Sequence, residues 1–294
     1  MGKENDSLGD RMKAYEMQFA GVRAMKGIPL LARLDGRSFH TFTRGLTRPY
    51  DQRLSDCMIE TTKYLVEETH AKIGYTQSDE ISLVWHIPVN STSEFMFDGR
   101  IQKLTSVLSG LASVKFMKLI MENIPEKADK IPVFDCRVWQ VPTKELAADA
   151  FLWRELDATK NSISMAAHAY FSHKSLQGLN GSEKQELLWS QKGINWNDYP
   201  AFFKRGTYVQ RKTFMREMTE AERMTIPEAH RPDRGTKFQR SQVVEIDMPP
   251  AKRTANYVDV LFDAVEPIPT VAAVASNPAQ VMSQQRESDR KSVV

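Results

Sequence analysis

Cysteine is nearly absent: Cys57 and Cys136 are the only two in 294 residues. That excludes a disulfide framework and a cysteine-rich zinc site, and the apolar patterns around both predict buried, reduced thiols. No apolar run approaches the ~18 residues needed to cross a bilayer. The N-terminal stretch Met1 to Asp10 is polar and acidic, unlike a secretory signal. A myristoylation signal starting at Gly2 is excluded by Asp6, which stands where Ser or Thr is required. The expectation is a cytoplasmic protein with no membrane partner. Charge of one sign is lacking too: 40 Lys and Arg face 37 Asp and Glu, a net +3. Only local clustering, then, can argue for a nucleic-acid partner. There is no P-loop, G-x-G-x-x-G, H-E-x-x-H or G-x-S-x-G motif. The six histidines show no ligand spacing, and His40, His168 and His173 read as surface or packed side chains.

What is present centres on Leu30 to Trp85. Two short apolar runs, Leu30–Leu34 and Ile81–Trp85, flank carboxylates: Asp35-Gly36-Arg37-Ser38-Phe39-His40 follows the first, and Ile73-Gly74-Tyr75-Thr76-Gln77-Ser78-Asp79-Glu80 leads into the second. Between them Asp51 to His70 has helical periodicity, with Leu54, Cys57, Met58, Thr61 and Leu65 on one face. Strand, helix and hairpin form the front half of a split βαβ unit. Asp35 then ends the first strand, and Asp79 sits in a hairpin tip beside it. Turn chemistry alone accounts for either Asp-Gly or Ser-Asp-Glu. Strand-flanked acids at both places are more specific. They suit Mg²⁺, which prefers one or two carboxylates plus water and substrate phosphate, and a pair of such ions serves phosphoryl chemistry.

Around this core, Arg11 to Met25 reads as an amphipathic helix with Met12, Tyr15, Phe19 and Val22 on one face. A second palm helix runs from about Phe97 to Asn123, with Ile101, Leu104, Leu108, Leu111 and Phe116 as its stripe and Arg100 and Lys103 at its start. That basic pair reads as a solvated face by itself and as a phosphate contact if a triphosphate site lies near. Ile131 to Trp139 supplies a fourth strand. The expected fold is α+β: a ferredoxin-like palm of order β-α-β-β-α-β, an antiparallel sheet with helices on one face, over residues 1–140. Residues 141–263 then form a helical region with a small β element. It is helical from Thr143 to about Gln177, has a capping box at Ser182–Gln185 opening a helix that Gly193 stops, and carries strands at Gly206–Phe214 and Gln242–Met248 around a charged insertion, Arg216–Arg240. Residues 154–212 hold nine Lys and Arg against five acids, with Trp189, Trp196, Tyr199 and Tyr208 nearby. This composition fits either an RNA-backbone surface or an ordinary exposed helical region. From Ala264 periodicity is lost, which predicts a disordered tail over 264–294.

Leu34–His40 together with Tyr75–Glu80 resembles the tRNA-His guanylyltransferase family. Arg48-Pro49-Tyr50-Asp51, Arg100 with Lys103, Phe134-Asp135-Cys136-Arg137 and Lys204-Arg205-Gly206-Thr207 extend the resemblance across most of residues 10–215. It implies Mg²⁺-dependent addition of nucleotides to the 5′ end of tRNA, in the 3′-to-5′ direction, with GTP and ATP as substrates and a homotetramer as the assembly. Asp35, Asp79 and Glu80 would be the catalytic acids. Asp35, Asp79 and the Gly36 carbonyl would hold two Mg²⁺. Arg37, Ser38, Phe39, His40, Arg48, Ser78, Arg100 and Lys103 would bind nucleotide, and Lys160, Asn161, Lys204 and Arg205 would bind tRNA. Where eukaryotic members carry His-Ile-Asn-Asn, this chain reads Thr159-Lys160-Asn161-Ser162. In this it is similar to the bacterial-type branch, which implies template-directed repair of truncated tRNA 5′ ends. A palm-type nucleotide cyclase and a catalytically inactive RNA-binding module are the competing readings. Neither explains the joint pattern as fully, since a cyclase has no need of the basic helical region and an inactive module has no need of Asp35 and Asp79.

Overall fold

The computed structural model describes residues 7–270 and contains the expected β-α-β-β-α-β order. Helix α1 (Ser7–Ala20) leads into β1 (Leu30–Gly36), a short α2 (Phe39–Phe42), α3 (Gln52–Thr69), β2 (Ile73–Gln77), β3 (Glu80–Trp85), α4 (Ile101–Asn123) and β4 (Phe134–Gln140). The long α5 (Lys144–Tyr170) follows, then α6 (His173–Leu176), α7 (Gly181–Lys192) and α8 (Ala201–Arg205). Strand β5 (Thr207–Glu217), α9 (Glu220–Met224), β6 (Lys237–Ile246) and α10 (Tyr257–Asp263) complete the fold.

All six strands form one antiparallel sheet in the order β4-β1-β3-β2-β5-β6. The two late strands are therefore not a separate small element. β5 pairs along β2, from Ile73↔Gln210 to Thr76↔Thr207, and satisfies an edge that a four-stranded palm would leave open. The strands also reach further into the charged insertion than its composition suggests, forming a ribbon that carries α9.

Strand alternation sorts the side chains. Leu30, Ala32, Leu34, Ile81, Leu83, Trp85, Phe134 and Cys136 face α3 and α4, meeting Cys57, Met58 and Leu65 on one helix and Leu104, Leu108, Ala112, Phe116 and Ile120 on the other. The opposite face is covered as well: Leu31, Ile73, Tyr75 and Val84 pack against Ala147, Ala148 and Phe151 of α5 and against α10. Helices on one face hold for the palm alone; α5 and α10 supply the second layer. Both cysteines are buried free thiols, and desolvation pushes Cys57 up to about 11 and Cys136 up to about 12.

Asp51 caps α3 as expected, accepting from Arg53 N at 3.1 Å. Helix α7 begins earlier than the Ser182 box: Asn180 is its cap and Glu183 closes the reciprocal bond, while Gly193 ends it with φ 65°. Helix α1 stops at Ala20, and Met12, Tyr15 and Phe19 are exposed rather than packed. By length and a mean hydropathy of 1.4, α4 passes as a membrane span, yet its buried stripe is part of the palm core. The tail expectation fails over 264–270: Ala255 N donates to Ile268 O at 2.7 Å and Ile268 N to Asn256 Oδ1 at 2.8 Å, folding this segment back beside α10. Residues 271–294 lie outside the described residues.

Strands β1 and β2 end, and β3, β4 and β5 begin, at one end of the sheet. Asp35 and Asp79 lie there. Helix α5 is 27 residues long. At about 1.5 Å of rise per residue it reaches roughly 40 Å, far enough to run beyond that end of the sheet. There it packs with α7 and α8 around Ala166, Ala167, Leu188 and Phe203.

Candidate active site

Segments far apart in the chain converge at the carboxylate end around a cavity of about 550 Å³. That size is usual for a small-ligand site. The β1–α2 turn contributes Gly36, Ser38, Phe39 and His40. The loop before α3 contributes Arg48 and Tyr50, the hairpin Gln77, Ser78 and Asp79, α5 Met165 and His168, and α8 Phe202 and Phe203. Gly36 is required by close packing: a Cβ there would lie 2.3–2.7 Å from ring atoms of Phe39. Phe39 turns back onto Phe116 and Phe134, with ring centres 5.5 and 5.3 Å away, and makes an apolar floor.

Asp35 stands opposite Glu80 on β3 and opposite Asp135 on β4. The hairpin tip is tied to β1 by Gly36 N donating to Asp79 O at 3.1 Å. Burial pushes the Asp79 carboxyl above its ordinary range, and the negative charge of Asp35 adds to the shift; Ser78 and His40 offset only part of it. Burial and a like charge both penalise ionisation, and a divalent cation relieves both. Among the described residues no three His, Cys, Asp or Glu converge as metal ligands. An acid pair completed by substrate phosphate is the donor set that Mg²⁺ accepts.

Glu80 differs from its neighbours. Its Oε1 accepts from Arg154 Nε at 2.5 Å, and its Oε2 lies 4.0 Å from Arg33 Nε. Desolvation raises its pKa, and Arg154 opposes that most strongly. Both guanidinium groups lie on the Trp153 ring, at 5.3 Å for Arg33 and 4.4 Å for Arg154. Motif spacing missed Arg154. Its one sequence signal was a position three residues before Asp157, to which its Nη2 donates at 2.9 Å.

The predicted residues divide. Gly36, Ser38, Phe39, His40, Arg48, Ser78 and Asp79 line the cavity. Arg37 is exposed beside it, and its N donates to Val133 O. Arg100 and Lys103 are not brought there. α4 starts where β3 ends, so both lie at the opposite end of the sheet; Arg100 Nε donates to Phe97 O, and Lys103 sits 4.7 Å from the Phe97 ring centre. Lys160 and Asn161 are exposed on α5. Lys204 and Arg205 are half-buried and engaged locally, Lys204 with Asn197 O and the Trp196 ring and Arg205 with Met248 O. Their alternative, an open RNA contact, is narrowed by those bonds. His168, read as merely surface or packed, lines the cavity and stacks on His173 with ring centres 5.7 Å apart. Burial lowers its pKa, followed by the positive charges of His173, Lys184 and Arg48. The cavity thus carries the acidic Asp79 on the hairpin and a basic wall at Arg48, the polarity that a nucleotide's phosphates require.

Residues 9–142 match the family model described as tRNAHis guanylyltransferase, and residues 147–249 match the Thg1 C terminal domain. The tRNA(His) guanylyltransferase of Saccharomyces cerevisiae is 30% identical over 200 residues, which is 62% of this chain and 82% of that protein. A bacterial tRNA(His) guanylyltransferase (Thg1)-like protein solved in complex with ATP is similar with a TM-score of 0.72 and 35% identity, over 87% of this chain and 99% of that one. The corresponding structure in complex with GTP gives 0.68 and 32% over the same shares.

Proposed function

The chain belongs to the tRNAHis guanylyltransferase family, and from that premise we propose that it extends tRNA 5′ ends in the 3′-to-5′ direction, choosing the nucleotide against the opposing strand. It is a nucleotidyltransferase that adds nucleotides to the 5′ end of tRNA, with ATP and GTP as nucleotide substrates. The observation that carries the finer reading is the joining of the Asp79 hairpin, the Gly36–His40 turn and Arg48 around one cavity.

In this reading Asp35, Asp79 and the Gly36 carbonyl hold two Mg²⁺. Bound there, the ions supply charge neutralisation for in-line phosphoryl displacement. Ser78, Arg48 and His40 orient the triphosphate, and Phe39 excludes water beneath it. Activation of the 5′-phosphate by ATP and attack by the 3′-hydroxyl of the incoming nucleotide both place negative charge between the acid pair and the basic wall. The region 141–263 positions tRNA through Lys160 and Asn161. The apolar residues that α1 leaves exposed support a homotetramer, and a cytoplasmic location belongs to the same reading.

Choice by template follows from the surface available. Thr159 Oγ1 donates within its own helix to Glu155 O, and the buried Ser162 bonds Thr159 O and accepts from Trp196 Nε1. Only Lys160 and Asn161 of that segment are exposed, and phosphate contacts position RNA without reading bases. A panel of 5′-truncated tRNAs differing at the template base, assayed with each labelled nucleotide, tests this. The expected result is addition to several tRNAs with the complementary nucleotide. Activity confined to tRNA-His, or G added opposite any base, overturns it, and cyclic nucleotide formed without RNA points to a cyclase instead.

A further inference from the structure

We infer that Glu80 acts as a latch rather than a metal ligand, and that Arg154 is a positioning residue for Asp79. The inference rests on the reading of Asp35 and Asp79 as the Mg²⁺ pair. Glu80 turns its carboxylate toward α5, where Arg154 Nε donates to Oε1 at 2.5 Å and Arg33 stands 4.0 Å from Oε2. The paired side chains are only 15% and 12% exposed. Arg154 is held in turn by Asp157 at 2.9 Å and by the Trp153 ring. A carboxylate in a short charge-assisted bond, with a second guanidinium facing its other oxygen, is already neutralised. To ligate a metal it would have to give up that bond and leave the nearly enclosed Arg154 with Asp157 as its one remaining carboxylate, which is disfavoured.

The segment in need of holding is adjacent. Ser78 has φ 54°, in the left-handed region. A residue with a Cβ adopts that conformation at a cost, and such strain persists where the surroundings over-determine it. Three contacts do so here: Gly36 N to Asp79 O at 3.1 Å, Thr76 Oγ1 to Glu80 O at 2.9 Å, and the Glu80–Arg154 pair. The first two fix the backbone on the sheet side. Only the third ties the tip to α5, and it does so through the residue directly after Asp79.

The test is a double-mutant cycle in the full chain with Glu80→Gln, Arg154→Met and the double variant. Binding of Mn²⁺, a probe for the Mg²⁺ site, is measured by electron paramagnetic resonance, and turnover is measured beside it. Each single variant is expected to weaken Mn²⁺ binding about tenfold and the double variant no further, because one latch can be broken once. Arg154→Lys, which keeps the charge and loses the fork, is expected to recover part of the loss and serves if Arg154→Met does not fold. Wild-type Mn²⁺ affinity in Arg154→Met, with loss in Glu80→Gln, would make Glu80 a ligand and overturn the proposal; so would a near-hundredfold additive loss in the double variant or in Glu80→Gln combined with Arg154→Lys. Asp79→Asn is the control for the underlying reading: if it binds Mn²⁺ as the wild type does, the acid pair is not the metal site and the latch has nothing to position.

Discussion

Toward α3 and α4 the palm strands present Leu30, Ala32 and Leu34 on β1 and Ile81, Leu83 and Trp85 on β3. The intervening positions of the same strands, turned the other way, are Leu31, Arg33 and Asp35 on β1 and Glu80, Ser82 and Val84 on β3. One face is apolar from end to end. The other is apolar at Leu31 and Val84, under α5, and becomes charged toward the end where α5 runs off the sheet. Charge that close to a core must be paired or await a partner. Arg154 and Glu80 are paired, with Arg33 4.0 Å from the second Glu80 oxygen. Asp35 and Asp79 are set against each other, a difference that separates the support of this site from its chemistry.

The two faces differ most at the acid pair. Asp35→Asn and Asp79→Asn are each expected to lower nucleotide addition by at least ~10³-fold, since charge stabilisation of several kcal/mol is lost. Stability should move the other way for Asp79. Its folded pKa is raised above the ordinary 3.8, so the stability this group contributes is full below that value and is lost as pH rises through the folded one. Asp79→Asn should therefore melt higher than the wild type at pH 7, and the two should converge in acid. Calorimetry at both pH values, beside the addition assay, checks the pair of signs.

On the apolar face the effects reverse. Leu83 is fully buried. Leu83→Ala is expected to cost about 3–5 kcal/mol in urea unfolding while leaving turnover per folded molecule unchanged. Smaller again is Asp51→Ala, which removes the cap of α3 and its bonds from Arg53 and Thr47. Loss of such a cap costs roughly 1–2 kcal/mol at neutral pH. The Asp51 pKa is lowered, chiefly by the Arg53 side chain. Its stabilisation is present above the ordinary 3.8 and disappears as pH falls through the lower folded value, so variant and wild type should converge in acid denaturation. The smallest effect is expected at the remote end: Arg100→Ala with Lys103→Ala should leave nucleotide affinity in the cavity within about twofold. A tenfold loss in isothermal titration would mean that a second copy of the chain carries them to it.

Much of this was legible because it is local. The alternation of β1 and β3, the helical face of Cys57, Met58 and Leu65, the cap at Asp51 and the hairpin tip at Asp79 depend on neighbours within a few residues. What was not legible is of another kind. Arg100 and Lys103 lie at a helix start, a correct local reading, but which end of the sheet that start occupies depends on the path of β3. Glu80 follows Asp79 in sequence, and only the approach of α5 shows that its carboxylate is already taken. His168 had no visible partner until the cavity wall brought it beside Arg48.

The residues themselves determined the strands and helices, their buried faces and the two aspartates at strand ends, because period and turn chemistry act over short spans. Tertiary structure alone decided that β5 and β6 extend the palm sheet, that α5 crosses its second face, and that Arg154 meets Glu80. Each of these is a pairing between segments dozens of residues apart, and backbone register and charge neutralisation across such distances have no signature in the order of residues along one chain.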